Sequence, residues 1–229
     1  MNVEDLIEKL NLKINDIELF RKSLTHRSFN GENNERLEFL GDAVIELLVS
    51  KYIYNKFPNE KEGILTSYRS SLVKTETLSK IAASLSFGNY ILMSKGEDES
   101  GGRERQTILE DAFEAFIGAL YLDRGLEYTN DFLYNNLYYI LEDIIRDKSY
   151  INNKSQLQEI SQSKYKSTPK YKVIKEEGPA HDKTFTVELV INKKTVSQGI
   201  GKSKQEAEES AATNILNKIY DKDKINENR

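Results

Sequence analysis

Residues 34–42 run Asn34-Glu35-Arg36-Leu37-Glu38-Phe39-Leu40-Gly41-Asp42. At roughly 100° per residue on a helix, Glu35, Glu38 and Asp42 fall within about 60° of one another. Leu37, Leu40, Val44, Leu47 and Leu48 gather roughly 170° away, so the pattern predicts an amphipathic helix with an acidic edge. Like charges at i,i+3 and i,i+4 repel. Such an edge is either a solvated helix face or a place where a cation or basic partner sits. Phe39 projects roughly 40° from the Glu35 direction, beside the acids. It is either a buried contact with a third element or an insertion into a partner subunit.

A second acidic pair, Asp111 and Glu114, is predicted on a helix over 107–123, with Ala115 and Gly118 on the same face. Small residues beside acids let another helix approach closely. If the two acid-bearing helices cross there, Glu38, Asp42, Asp111 and Glu114 meet in one hard-oxygen site suited to Mg²⁺, with Mn²⁺ as a substitute. Such a site serves phosphoryl chemistry. The alternative is unrelated surface acids on two helices.

The rest of the chain bounds these readings. The 229 residues suggest one large or two modest domains, and 38% hydrophobic content supports a buried core. With no cysteine, disulfides and thiolate chemistry are excluded, and only His26 and His181 offer imidazoles. Met1 to Leu10 shows no signal-peptide apolar region and no run reaches membrane-spanning length, so the expectation is a soluble, cytoplasmic protein. The net charge of −4 hides a split. Residues 1–150 carry 18 Lys/Arg against 26 Asp/Glu, and residues 151–229 carry 15 against 11. An acidic half followed by a basic half suggests cation chemistry first and polyanion binding second.

Apolar spacing predicts helices over 33–55, 64–85, 107–123 and 128–146, with Ser94 to Arg105 as a loop. After Asp147 the pattern changes. Ser155–Ser163 is helix-like; Tyr171–Lys175, Thr184–Ile191 and Thr195–Gly199 have strand character. A last helix opens with the capping box Ser203/Glu206. The expected organisation is an all-α domain over 1–147, a linker over 148–153, an α-β-β-β-α module over 154–220 and a charged tail over 221–229. Gly201-Lys202-Ser203 is no P-loop, because its first glycine would have to be residue 196, a valine. What remains is Lys202 and Lys204 at a helix start, where a phosphate is favoured. Gln158 and Gln162, with Glu159 adjacent, and the turn bearing His181 add further polar patches. Their spacing suits the minor groove, phosphates and minor groove of an A-form duplex.

These residues resemble the ribonuclease III family. Residues 34–42 match its best-known motif, and Leu24-Thr25-His26-Arg27-Ser28, Glu62-Gly63-Ile64-Leu65-Thr66 and Asp111-Ala112-Phe113-Glu114-Ala115 match in the same order. Lys154 to Ile219 resembles the family's double-stranded RNA-binding domain. The resemblance implies a Mg²⁺-dependent endoribonuclease that cuts double-stranded RNA to 5′-phosphate and 3′-hydroxyl ends, processing ribosomal RNA precursors and structured messages. It assigns Glu38, Asp42, Asp111 and Glu114 to the metal cluster, with Asp42 and Glu114 catalytic. Glu35 and Glu62 become substrate-engaging acids, and Phe39 a contact that enters the other subunit of a homodimer. Gln158, Glu159, Gln162 and His181 fall on minor-groove positions. Lys202, Ser203 and Lys204 fall on the phosphate-binding helix start, although the chain has Ser203-Lys204-Gln205 where the family has Ser-Lys-Lys. A silenced nuclease acting only as an RNA-binding regulator would be expected to have lost some of these acids, and all six matching positions are acidic. Glu46 matches no functional position and is read as solvated.

Overall fold

The computed structural model describes residues 2–148, 150, 153–179 and 183–227, with side chains up to residue 219. The chain divides into two units, 1–150 and 151–229. The first is helical: α1 (Val3–Lys9), α2 (Ile17–Ser23), α3 (Glu35–Lys56), α4 (Glu62–Val73), α5 (Thr75–Ser84), α6 (Lys95–Glu99), α7 (Gln106–Asn136) and α8 (Ile140–Arg146). The second runs α9 (Asn153–Tyr165), β1 (Lys170–Glu177), β2 (Thr184–Ile191), β3 (Lys194–Gly201) and α10 (Lys204–Glu227).

In the first unit α7 is the central element. From Ala112 to Leu120 every residue except Glu114 is buried, on all sides of the helix, as an element surrounded by others requires. Phe116 packs edge-on against Phe20 and Phe87, both at 5.1 Å between ring centroids. Each such side chain contributes about 1.5–3 kcal/mol on burial. Helix α3 lies along α7 with Leu37, Gly41, Val44, Ile45, Leu48 and Val49 buried. The two backbones come so close that a Cβ on Gly41 would sit 1.7 Å from the Glu114 carbonyl oxygen. A Cβ on Gly118 would sit 2.3 Å from the Leu37 carbonyl oxygen. Only glycine fits at either position.

Several local expectations are corrected. Leu47 is 55% exposed rather than core-facing, and Ile45 takes its place inside. The predicted helix 64–85 is two helices, because Lys74 adopts an extended ψ of 151°. Thr77 stabilises the break by donating its hydroxyl to the Ser71 carbonyl at 2.8 Å. The predicted helix 128–146 breaks between Asn136 and Ile140, while α7 is kinked at Gly125 with φ of 78°. Ser94 to Arg105 is more ordered than a loop. Ser94 caps α6 by accepting from the Glu97 amide, and Arg103 binds Asp98 at 2.7 Å while Arg105 pairs with Glu97. These ion pairs stabilise an otherwise polar, glycine-rich segment. Glu46 is also not solvated alone, since it pairs with Arg69 of α4 at 3.0 Å.

In the second unit the strands form one antiparallel sheet in the order β1-β2-β3. The β2–β3 hairpin turns at Asn192 and Lys193, both with positive φ (51° and 63°), the requirement of a two-residue turn that matches strand twist. Leu157 of α9, Leu189 and Ile191 of β2, and Ala211, Ala212 and Leu216 of α10 make the core. Helix α10 continues to Glu227, through most of the stretch expected to be a tail. Among the described residues no helix is long and apolar enough to cross a membrane.

Replacing Gly118 by Ala should lower the urea midpoint, with a cost of about 1–3 kcal/mol from overpacking. Gly63→Ala, where an added Cβ meets nothing within 4 Å, should be neutral or stabilising. A Gly118→Ala protein as stable as wild type would show that the helices have room to separate.

Candidate active site and nucleic-acid interface

Helix α3 begins where Asn33 folds back on it. The Asn33 side-chain oxygen accepts from the Glu35 amide at 3.1 Å, and its amide nitrogen donates to the Glu35 carboxylate at 3.0 Å. Asn34 is buried, and its own amide donates to the Thr25 carbonyl at 2.9 Å. This start sets the phase of the helix, so Glu35, Glu38 and Asp42 share the edge beside α7. The Gly41–Gly118 crossing then brings Glu114 and Asp111 against them.

The electrostatics report this assembly. Burial pushes the Glu114 carboxyl up to about 8, and the charges of Asp42, Glu110, Glu38 and Asp111 push in the same direction. Burial pushes Glu38 up to about 6, with Asp111, Glu35 and Glu110 adding repulsion and Arg27 opposing it. Asp111 is also raised by burial, while His26 and Arg27 draw it back. The Glu114 carboxyl thus feels the other three acids, and Glu38 feels Asp111. Asp42 is exposed and Glu114 partly buried, which gives the cluster a mouth and a floor.

Glu110 belongs to this neighbourhood and was missed in the sequence. Its carboxyl is raised by burial and by Asp111 and Asp42, and a hydrogen bond from Thr75 holds it down. Its place next to Asp111 was the available signal, but helical phase alone puts it off the stripe. Glu62 stands elsewhere. It is exposed on the first turn of α4, accepts from the Thr66 hydroxyl at 3.0 Å, and contributes to none of the shifts in the cluster. Phe39 is 81% exposed, which excludes the reading of a contact buried within the chain.

The donor set is all oxygen and suits a hard divalent cation, which would relieve the mutual repulsion that raises these carboxyls. As the side chains stand, no three His, Cys, Asp or Glu groups among the described residues converge tightly enough to grip an ion. The fit to a metal is therefore one of donor chemistry and location.

In the second unit, Gln158, Glu159 and Gln162 are exposed on one face of α9. With Ser155, Ser163 and Lys166 they line an open depression of about 650 Å³. Lys202, Ser203 and Lys204 are exposed at the start of α10. Ser203 caps that helix by accepting from the Glu206 amide at 3.1 Å, and Glu206 accepts from the Lys202 amide at 2.7 Å. The Lys204 ammonium lies 5.9 Å from the Phe185 ring centroid. His181 lies outside the described residues.

A helical unit with paired acidic helices, joined to a small α-β-β-β-α unit, is the architecture of a nuclease coupled to an RNA-binding module. The Ribonuclease-III-like family matches residues 16–141, and the Double-stranded RNA binding motif matches residues 153–219. The chain belongs to the ribonuclease III family. It is 41% identical to a curated protein named Ribonuclease 3 from Borreliella afzelii, over 96% of this chain and 92% of the other. It is 43% identical to Ribonuclease 3 of Enterococcus faecalis, over 94% of this chain and 96% of that protein. The solved nuclease domain of ribonuclease III from Campylobacter jejuni, studied for flexibility in the region involved in its dimer formation, is 44% identical. It superposes with a TM-score of 0.57 over 58% of this chain and 94% of that one.

The raised Glu114 carboxyl makes stability pH-dependent. Between about 4.5 and 8 the folded chain keeps a proton that the unfolded chain has released. This contribution is whole below 4.5 and is lost as pH rises through 8. In the presence of a chelator, wild type should lose more stability than Glu114→Gln across that window, read as urea midpoints at successive pH values. Parallel profiles would mean that Glu114 is not held in a repulsive site.

Proposed function

We propose that the carboxylate cluster at the α3–α7 crossing is the site at which this chain hydrolyses double-stranded RNA. We further propose Mg²⁺ as its metal, with Mn²⁺ able to substitute. The observation that carries this reading is that the charges of Asp42, Glu38 and Asp111, on two helices, all act on the Glu114 carboxyl, in a chain whose second unit matches the Double-stranded RNA binding motif. Enzymes of this family generally depend on a divalent metal. A bound magnesium would supply a more acidic water and Lewis-acid stabilisation of charge on the phosphate.

The chain's own groups divide the remaining work. Glu38 and Asp111, both partly buried, form the wall of the cation site. Asp42 at the exposed mouth meets the scissile strand first. Glu114 at the floor, pushed up to about 8, keeps a proton near neutral pH until a cation arrives. It is then poised to take or give a proton at its carboxylate oxygen. Glu35, fixed by Asn33, and Glu62, on a separate helix, act as further substrate-engaging acids. Gln158, Glu159, Gln162 and His181 address the minor groove, and Lys202, Ser203 and Lys204 the phosphates. The proposed substrates are ribosomal RNA precursors and structured messages, met in the cytoplasm.

Glu114→Gln should abolish cleavage of a long RNA duplex in Mg²⁺ while leaving its affinity in Ca²⁺ within about twofold. Native-rate cleavage by this variant would remove Glu114 from catalysis.

The active form is proposed to be a homodimer. On α3, Phe39, Leu47 and Tyr54 are 81%, 55% and 71% exposed and lie within about 80° of one another. An exposed apolar stripe of this kind marks an interaction surface. Phe39 inserts into the second copy, and the paired clusters each serve one RNA strand. Phe39→Asp should shift the protein from dimer to monomer in sedimentation velocity at micromolar concentration. A dimer of native strength would place the interface elsewhere.

A further inference from the structure

Arg27 lies between residues that are locked in place. His26 is 6% exposed, its amide donates to the Leu92 carbonyl at 2.9 Å, and its Nδ1 lies 2.8 Å from the Ser28 hydroxyl. On the other side, the Ser28 hydroxyl accepts from the Ser94 amide at 3.0 Å. Thr25 pairs with Leu92 in a β-bridge, and its carbonyl accepts from the Asn34 amide at the start of α3. The backbone on both sides of Arg27 is therefore clamped to residues 92–94 and to the acidic helix. Placing this side chain costs only its own torsions, with no loop to order.

The Arg27 side chain is 71% exposed. Its one ion pair among the described residues is with Glu35 at 3.9 Å, near the outer limit for such a contact. Glu35 already has a closer partner in Asn33, at 3.0 Å. Most of the Arg27 donor fork thus faces solvent beside the acid edge of α3. Its charge is felt by Glu38 and Asp111, which places it over the cluster rather than on a remote surface.

A strand of RNA approaching this edge meets several carboxylates before anything that attracts it. A guanidinium presents paired N–H donors that match two phosphate oxygens at once. We propose that Arg27 is a substrate-binding residue of the cleavage site, holding a phosphate of the RNA strand in a bidentate contact beside the carboxylate cluster. This rests on the cluster being the cleavage site. The competing role is purely structural: Arg27 screens Glu35 and never meets RNA.

The test uses the whole 229-residue chain and five variants: R27Q, R27K, E35Q, R27Q/E35Q and E114Q. R27Q should lower kcat/KM for a long RNA duplex by about tenfold to a hundredfold, as expected for a lost hydrogen bond to a charged group. The same factor should appear in the E35Q background. In Ca²⁺, the slope of log Kd against log salt should fall by about 0.7–0.9, one phosphate contact. R27K should keep the slope yet cleave several-fold more slowly, because an ammonium cannot bridge two oxygens. An R27Q effect that vanishes beside E35Q, or a salt slope that does not change, overturns the proposal. If R27Q melts well below wild type, R27K decides: slowed cleavage with the slope retained supports the contact, and native cleavage rejects it. An E114Q protein that still cleaves condemns the site assignment instead, and the R27Q salt slope then judges Arg27 alone.

Discussion

The approach of α3 to α7 at Gly41 and Gly118 is the constraint on which the candidate site depends. With any side chain at either position, a Cβ would lie closer than 2.5 Å to a backbone carbonyl of the facing helix. Two ordinary helices pack with axes about 8–10 Å apart, and side chains fill the space between them. Here the space is missing, so carboxylates just above and below the crossing are forced together across the seam. The apolar residues around them, Leu37, Val44, Ala112 and Ala115, exclude water from one side of the cluster. Proximity and partial burial thus come from one geometric cause.

That geometry is costly in the absence of a cation. Burial is the leading reason that Glu38, Asp111 and Glu114 are raised, and repulsion from neighbouring acids adds to it in each case, from Glu35 alone for Asp111. Packing elsewhere must hold the helices against this force. The phenylalanine cluster around Phe116 and the buried face of α3 do so, since they are continuous with the same two helices. A functional site that opposes stability, supported by a core that does not, is the usual form of the trade-off between activity and stability.

Much of this was legible in the sequence, and the reasons differ from residue to residue. The acid stripe of α3 was visible because helical phase is set by backbone geometry. The meeting with Asp111 and Glu114 was visible because small residues beside charged ones mark a close approach. Glu110 was not, because helical phase puts it off the acid stripe, and its partial burial and hydrogen bond from Thr75 of α5 are tertiary contacts no local pattern encodes. The break at Lys74 carried no glycine or proline to announce it, and only the Thr77–Ser71 hydrogen bond explains how the chain tolerates it. The order in residues 94–105 came from charges five and eight positions apart, a spacing that is meaningless on a helix and decisive in a folded-back turn. Leu47 was misplaced inside because phase shows which residues share a face, not whether a partner element covers that face.

The charge split between the two units has a physical consequence for catalysis. A unit with 26 acidic against 18 basic residues repels a polyanion, and the proposed cleavage site lies on an acidic edge of it. A nuclease built this way cannot rely on its catalytic unit for affinity. Attraction must come from the basic unit at 151–229, whose lysines at the start of α10 are exposed, and from a cation at the cluster. The acids can then be spent on chemistry rather than on binding. The proposed role of Arg27, an exposed side chain on a clamped backbone, fits the same logic, placing one local attraction beside the acidic edge.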